Sequence, residues 1–238
     1  MRTYRTSAGP FTERPYYELH QIEDICGDEL RKVGLYPEKP GPVRIDRFIE
    51  KRFGVPPAYE ELPKGLLGYT RFGPRGVEEI VVSRTLAEQG TRVSERQVSS
   101  TLAHEGGHGL LHAHLFVLER ARLQSLFGDD LDPKLPKILC RGPAAPEAAR
   151  ERRQYDGRWW EFQANQTIGA LLLPRDLAVA ALNGLLARQG TFGRDMLPPE
   201  RRREATERLS EVFDVNPAVA KIRLQDLFPE ESAAQLTL

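Results

Sequence analysis

Four of the chain's five histidines, His104, His108, His112 and His114, fall within the stretch STLAHEGGHGLLHAHL, residues 100–115. On an α-helix, side chains four apart are rotated by about 400° and leave the same face one turn apart. His104 and His108 stand in that relation, so both rings can place a nitrogen about 2.0–2.1 Å from one zinc ion. Glu105 adjoins the first histidine and lies beside such an ion. There it is a candidate general base, able to take a proton from a water the ion activates. HEGGH is therefore an HExxH arrangement. The plainer alternative is a surface helix with solvated histidines. Leu102, Ala103, Leu110 and Leu111 argue for burial instead, and buried imidazoles and carboxylates need partners. Gly106 and Gly107 each cost about 1 kcal/mol in a helix interior relative to alanine. They make sense if something must approach the helix closely at this turn.

An open, catalytic zinc site takes three protein ligands and a water. His114 stands six residues after His108, as the third histidine of a metzincin does. That pattern needs a turn-making glycine where this chain has Leu111, and on a continuing helix His114 points about 240° away from His108. His112 is on the right face but about 12 Å along the axis from His104, so it reads as a polar or outer-sphere residue of the next turn. The distant option is Glu161, in RWWEFQANQTIGALLLP. Glu161 and Asn165 are the polar pair on one face of an otherwise apolar helix, and a buried carboxylate without a cation or donors is expensive. Glu161 as third ligand resolves this. Asn165 could then hydrogen-bond a ligand histidine and fix its tautomer. The alternative is a glutamate favoured at a helix N-terminus by the macrodipole.

The elements that must position these residues follow from periodicity. After a polar arm, residues 15–33 have helical spacing with Pro15 at the start. VRIDRFIEKRFG reads as a short helix closed by Gly54, and VPPAYEELPKG as loop. LLGYTRF, a GPRG turn and VEEIVVSR form an expected β-hairpin. Ser94, with Gln97 three residues on, is the expected cap of the histidine helix, which would run toward Arg122. Residues 126–156 read as a long excursion. A helix over GRWWEFQANQTIGALLLP stops near Pro174, a second covers RDLAVAALNGLLARQG, and two more follow with a turn at Asp214 to Pro217. Helices around one hairpin make an α+β fold. The expected division is a domain bearing the HExxH helix over 1–190 and a helical, helix-turn-helix-like extension over 191–238.

Composition removes several classes. The chain has 238 residues, 40% hydrophobic and 29% charged, with Lys+Arg and Asp+Glu both at 34. A formal net charge of zero implies no global attraction to nucleic acid or anionic membrane. Two cysteines, Cys26 and Cys140, make no disulfide scaffold. No apolar run suits a signal core or a membrane span, so a cytoplasmic protein is expected. Cys140 reads as a small, half-buried residue, in preference to a thiolate latch on the metal.

SSTLAHEGGHGLLH followed by EFQANQTIGALLLP resembles the ImmA/IrrE family of metallo-endopeptidases. Its members carry an HExxH helix ending in Leu-His, then a helix written Glu-x-x-Ala-Asn and closing in Leu-Leu-x-Pro. The resemblance extends over residues 16–228. It implies a zincin-like fold, metal ligation by His104, His108 and Glu161, and Glu105 as base. It also implies zinc as cofactor, with manganese possible in the same ligand set. The partner it implies is a protein substrate, a helix-turn-helix repressor cut to relieve repression in stress responses or mobile elements. The 52 residues between His108 and Glu161 exceed the family's usual spacing. No fused amino-terminal DNA-binding domain and no sensor domain after Leu238 are expected.

For the mechanism, the expected substrate path is the edge of the small sheet, with EIVVS as the pairing strand. Tyr155 and His112 are the candidate donors to the oxyanion. Two rival readings exist. One is a DNA-binding regulator using the helix-turn-helix outline of residues 205–227. From Glu200 to Glu231, six basic residues face eight acidic ones, a poor footprint for phosphate. The other is a metal-binding adaptor that recognises a repressor without cutting it.

Overall fold

The computed structural model describes residues 2–5, 13–117, 137–141, 159–188 and 195–229. Its class is α+β. Its main helices are α1 Leu19–Lys32, α2 Ile45–Phe53, α3 Arg84–Ala87, α4 Arg92–Leu111, α5 Trp159–Leu172, α6 Arg175–Ala181, α7 Arg202–Val212 and α8 Pro217–Leu227. The main sheet has the order β3-β5-β4-β6, from Ala58–Glu60, Gly76–Ser83, Gly68–Gly73 and Lys137–Arg141. Two short ribbons complete the described structure: β1 Arg2–Arg5 with β2 Glu13–Tyr16, and β7 Ala187–Arg188 with β8 Asp195–Met196. Among the described residues no helix is long and apolar enough to cross a membrane.

The hairpin forms as the residues suggest. β4 and β5 pair antiparallel from Gly68↔Val82 to Gly73↔Gly76, with a bulge between Arg71 and Phe72. Gly76 closes the turn at φ 113, a conformation open to glycine and strained for other residues. Gly54 ends α2 at φ 73, the left-handed cap expected there.

Elsewhere tertiary contacts override local pattern. Residues 58–60, expected as loop, form β3 because the parallel ladder to β5 supplies their hydrogen bonds. The segment EIVVS, expected at an edge, lies in β5, which is paired on one side by β3 and on the other by β4. β3 covers Val81–Ser83, so that part of the segment has no unpaired side to offer a peptide. Pro15 opens no helix. It lies in β2, and α1 begins four residues further on, at Leu19, with a Glu18/Gln21 capping box. α4 starts one turn before Ser94. Thr91 is its cap, and the Thr91 and Ser94 hydroxyls each accept from the other's main-chain N–H at 3.1 Å. The Gly90 turn, φ 60, reverses the chain just ahead of that cap. α6 stops at Ala181, well short of Gly190, because Gly184 turns left-handed at φ 87.

α4 is the axis of the molecule. It packs on β4 and β5, on α2 and, most extensively, on α5. From Ser100 to Gly109 every residue is buried, the polar ones included. The apolar core around it draws Ile22 and Leu30 from α1, Phe48 and Ile49 from α2, and Leu171 from α5. It continues without a break to Leu209, Phe213 and Leu224 in the C-terminal helices. A smaller cluster of Phe72, Leu115, Phe116, Trp159 and Trp160 lies beyond the end of α4. Helix α4 ends at Leu111, and helical geometry resumes at 113–117.

Candidate metal centre

Close contact between α4 and α5 creates the site, and small residues permit it. A Cβ placed on Gly107 would lie 2.0 Å from Thr167 Oγ1 and 2.9 Å from its Cβ. Thr167 has little room to yield: it is buried, β-branched, and its hydroxyl lies 2.7 Å from the Ala164 carbonyl and 3.2 Å from that of Ala103. Gly109 answers to Phe53 in the same way, at 2.7 Å. Gly106 differs, since a Cβ there would make only ordinary contact with Ile49 at 3.8 Å. Of the adjacent glycines, Gly107 is the one a neighbour requires.

With the helices this close, Glu161 from the first turn of α5 reaches the two histidines. His104 Nε2 lies 3.1 Å from His108 Nε2 and 3.2 Å from Glu161 Oε2, and His108 Nε2 lies 3.7 Å from Glu161 Oε1. Two nitrogens and a carboxylate oxygen around one tetrahedral zinc at about 2.0–2.1 Å are separated from each other by about 3.3–3.4 Å. The separations of 3.1, 3.2 and 3.7 Å, the last two to different oxygens of the Glu161 carboxylate, lie around that value, and this His104–His108–Glu161 group could hold a metal ion. His104 is 1% exposed and His108 0%, while Glu161, at 17%, is the member that meets solvent.

Glu105 is fully buried on the face toward β4. Thr70 Oγ1 lies 2.7 Å from Glu105 Oε2 and 3.0 Å from the Glu105 carbonyl. The hydroxyl has one proton, and the shorter, charge-assisted contact to the carboxylate takes it. This bond sets the orientation of the carboxylate. β4 approaches α4 closely because residue 68 is glycine: a Cβ there would lie 2.7 Å from Thr101 Cγ2.

His112 is buried, with Nδ1 3.0 Å from His108 Nδ1 and Nε2 3.0 Å from Gln163 Oε1. Burial pushes its pKa down to about 3, against a smaller upward pull from Gln163, so the ring is neutral. With both nitrogens engaged inside the protein, His112 is no donor to an oxyanion. Tyr155, the other candidate, lies outside the described residues, as does most of the 126–156 excursion. The described part of that excursion is β6, which pairs with β4 through Leu139↔Thr70 and Cys140↔Tyr69. His114 is half-buried and outside the metal group, with a pKa lowered by burial.

The outer-sphere role expected of Asn165 is not where it was placed. Among the described residues Asn165 makes no hydrogen bond to a ligand histidine. Gln163, two residues earlier on the buried side of α5, is the amide that connects to them through His112. Its place is legible only once α5 is docked, because the helix is apolar on most sides. Thr70 was likewise missed. A buried threonine on the face of β4 that meets α4 is its only local signal.

Compared with known proteins, the chain matches no family model and no curated protein.

Proposed function

We propose that this chain is a zinc-dependent endopeptidase of zincin-like fold, and that its substrate is a helix-turn-helix repressor, as the likeness to ImmA/IrrE proteins implies. One observation carries the catalytic reading: the Nε2 atoms of His104 and His108 and the Glu161 carboxylate gather within 3.1–3.7 Å of one another, beside the helix turn that also bears Glu105. The residues fit the ion both in chemistry, two imidazoles and a carboxylate, and in spacing.

A zinc ion bound there would polarise the scissile carbonyl and acidify the attacking water. Glu105 accepts the proton of that water and delivers it to the departing amine nitrogen. Thr70 holds the carboxylate in place for both transfers through its bond to Oε2. His104 and His108 are held in register by the helix itself, and Glu161 by the Gly107–Thr167 contact between α4 and α5. The approach for substrate is from the side of Glu161, whose neighbour Phe162 is half exposed.

The DNA-binding reading loses ground at α8. Arg223, one of two basic residues on that helix, is fully buried and bonded to Glu23 at 2.6 Å, so it has no phosphate to offer itself to. The deciding experiment is elemental analysis of the purified protein, then incubation with helix-turn-helix repressors encoded nearby. Wild type is expected to carry about one zinc and to cut a repressor that Glu105→Gln leaves intact. Equal cleavage by that variant removes the base assignment, and absence of bound metal removes the enzyme reading.

A further inference from the structure

Behind His108, on the side away from Glu161, buried polar groups continue in a line. His108 Nδ1 lies 3.0 Å from His112 Nδ1, His112 Nε2 lies 3.0 Å from Gln163 Oε1, and Gln163 Nε2 lies 2.8 Å from the Pro15 carbonyl. The direction of every bond follows from the last one. A main-chain carbonyl only accepts, so Gln163 turns its NH2 to Pro15 and its oxygen to His112. An amide oxygen only accepts, so His112 carries its proton on Nε2. The neutral ring then presents a lone pair at Nδ1, and His108 donates to it from its own Nδ1. A histidine with its proton on Nδ1 has its lone pair on Nε2. That is the His108 atom 3.1 Å from His104 Nε2.

We propose that His112 and Gln163 are positioning residues: a hydrogen-bond chain anchored on the Pro15 carbonyl fixes the tautomer of His108 and aims its Nε2 lone pair at the ion. The inference rests on the metal reading above and deepens it. The opposite tautomer would turn an N–H toward the ligand triangle. It would also set two lone pairs against each other at 3.0 Å in a buried place, where an unmet polar group is costly. Outer-sphere partners of this kind typically change metal affinity 10–100-fold when removed. The anchor belongs to β2, so the amino-terminal strand is part of the metal centre's support although it contributes no ligand.

Two measurements test this without any cleavage assay. In zinc-free wild type, ring 15N NMR is expected to show His108 protonated on Nδ1 and His112 on Nε2. In a chelator competition for zinc, His112→Phe is expected to bind about 10–100-fold more weakly than wild type. Gln163→Leu should fall between them, and Gln163→Glu, which keeps an acceptor for His112, should lie closer to wild type than Gln163→Leu. A proton on Nε2 of His108 overturns the proposal, as does unchanged zinc affinity in a folded His112→Phe. Should His112→Phe fail to fold, the wild-type spectrum and the Gln163 pair decide alone. Zinc bound with the expected tautomer but no peptide cut would fail the protease reading and leave the relay standing. Cleavage with the opposite tautomer would do the reverse.

Discussion

The two ends of α4 bury polar side chains for different purposes. Near its start, Arg96 is only 7% exposed, yet its guanidinium is met wholly by the protein. Nε bonds Asp214 at 2.9 Å, and the terminal nitrogens bond Ser210 and Glu211, each at 3.2 Å. Arg92, exposed one turn earlier, joins the same two carboxylates. Here opposite charges meet and the C-terminal helices are tied to the axis. Near its end, His104, His108 and Glu161 converge instead, and all three bring groups of one kind, atoms able to ligate a metal ion. The first arrangement is complete as a set of ion pairs. The second has the donor set of a cation site, and its geometry is maintained by neighbours: Thr167 against Gly107, and the line from His108 to Pro15. A helix can thus be braced at one end and prepared at the other, because brace and site draw on different partners.

That contrast can be broken most forcefully at the site end. His104→Ala or Glu161→Ala should abolish stoichiometric zinc uptake, read by elemental analysis after dialysis, while the far-UV circular dichroism stays that of the wild type. Next comes Glu105→Gln. It should retain zinc and lose about 10²–10⁴-fold in kcat/KM against a repressor substrate, the span associated with a positioned general base. Gly107→Ala should cost about 1–3 kcal/mol in denaturant unfolding, since the methyl would enter a well-packed contact. It should also weaken zinc binding, because parting α4 from α5 withdraws Glu161. An unchanged zinc affinity in that variant would show that the close approach serves packing alone.

At the brace end the expected effects are smaller and leave the metal alone. Arg96→Ala should lower stability by about 0.5–1.5 kcal/mol, since its carboxylate partners remain solvated, with zinc stoichiometry unchanged. The pH dependence sharpens this. Partial burial alone would raise the pKa of Asp214, but the bonds and charges of Arg96 and Arg92 outweigh it and hold the carboxyl below its ordinary value. A depressed folded-state pKa stabilises above the unfolded value and loses that contribution as pH falls through the folded one. The difference in Tm between wild type and Arg96→Ala should therefore be full at neutral pH and shrink on acidification below the usual aspartate range of about 3.9. A difference that stays constant down to pH 3 would mean that Arg96 acts by packing and hydrogen bonds to Ser210, with no charge contribution.

Some features were readable before any fold because they obey local geometry. The i,i+4 spacing of His104 and His108, the GPRG turn and the Gly54 cap are each decided within a few residues. Others defied local reading for equally physical reasons. Ser94 has the chemistry of a cap, but Thr91 follows a left-handed glycine and starts the helix sooner. EIVVS alternates no differently from an edge strand, and only the parallel addition of β3 makes its Val81–Ser83 part interior. Asn165 and Gln163 are both polar residues on one apolar helix, and only the docking angle of α5 decides which one meets His112.

By itself, then, the sequence determined that two imidazoles and one carboxylate would stand together on a single turn of helix, because a regular backbone repeats every 3.6 residues whatever surrounds it. It also marked Glu161 as a carboxylate on an apolar helix that would need a cation, donors or the helix N-terminus to offset its burial. Only the tertiary structure decided that Glu161 reaches those imidazoles, that Thr70 orients Glu105 and that Pro15 stands behind His108. Those contacts join segments remote in the chain, and their distances follow from which side chains are small enough for the helices and the sheet to close on one another.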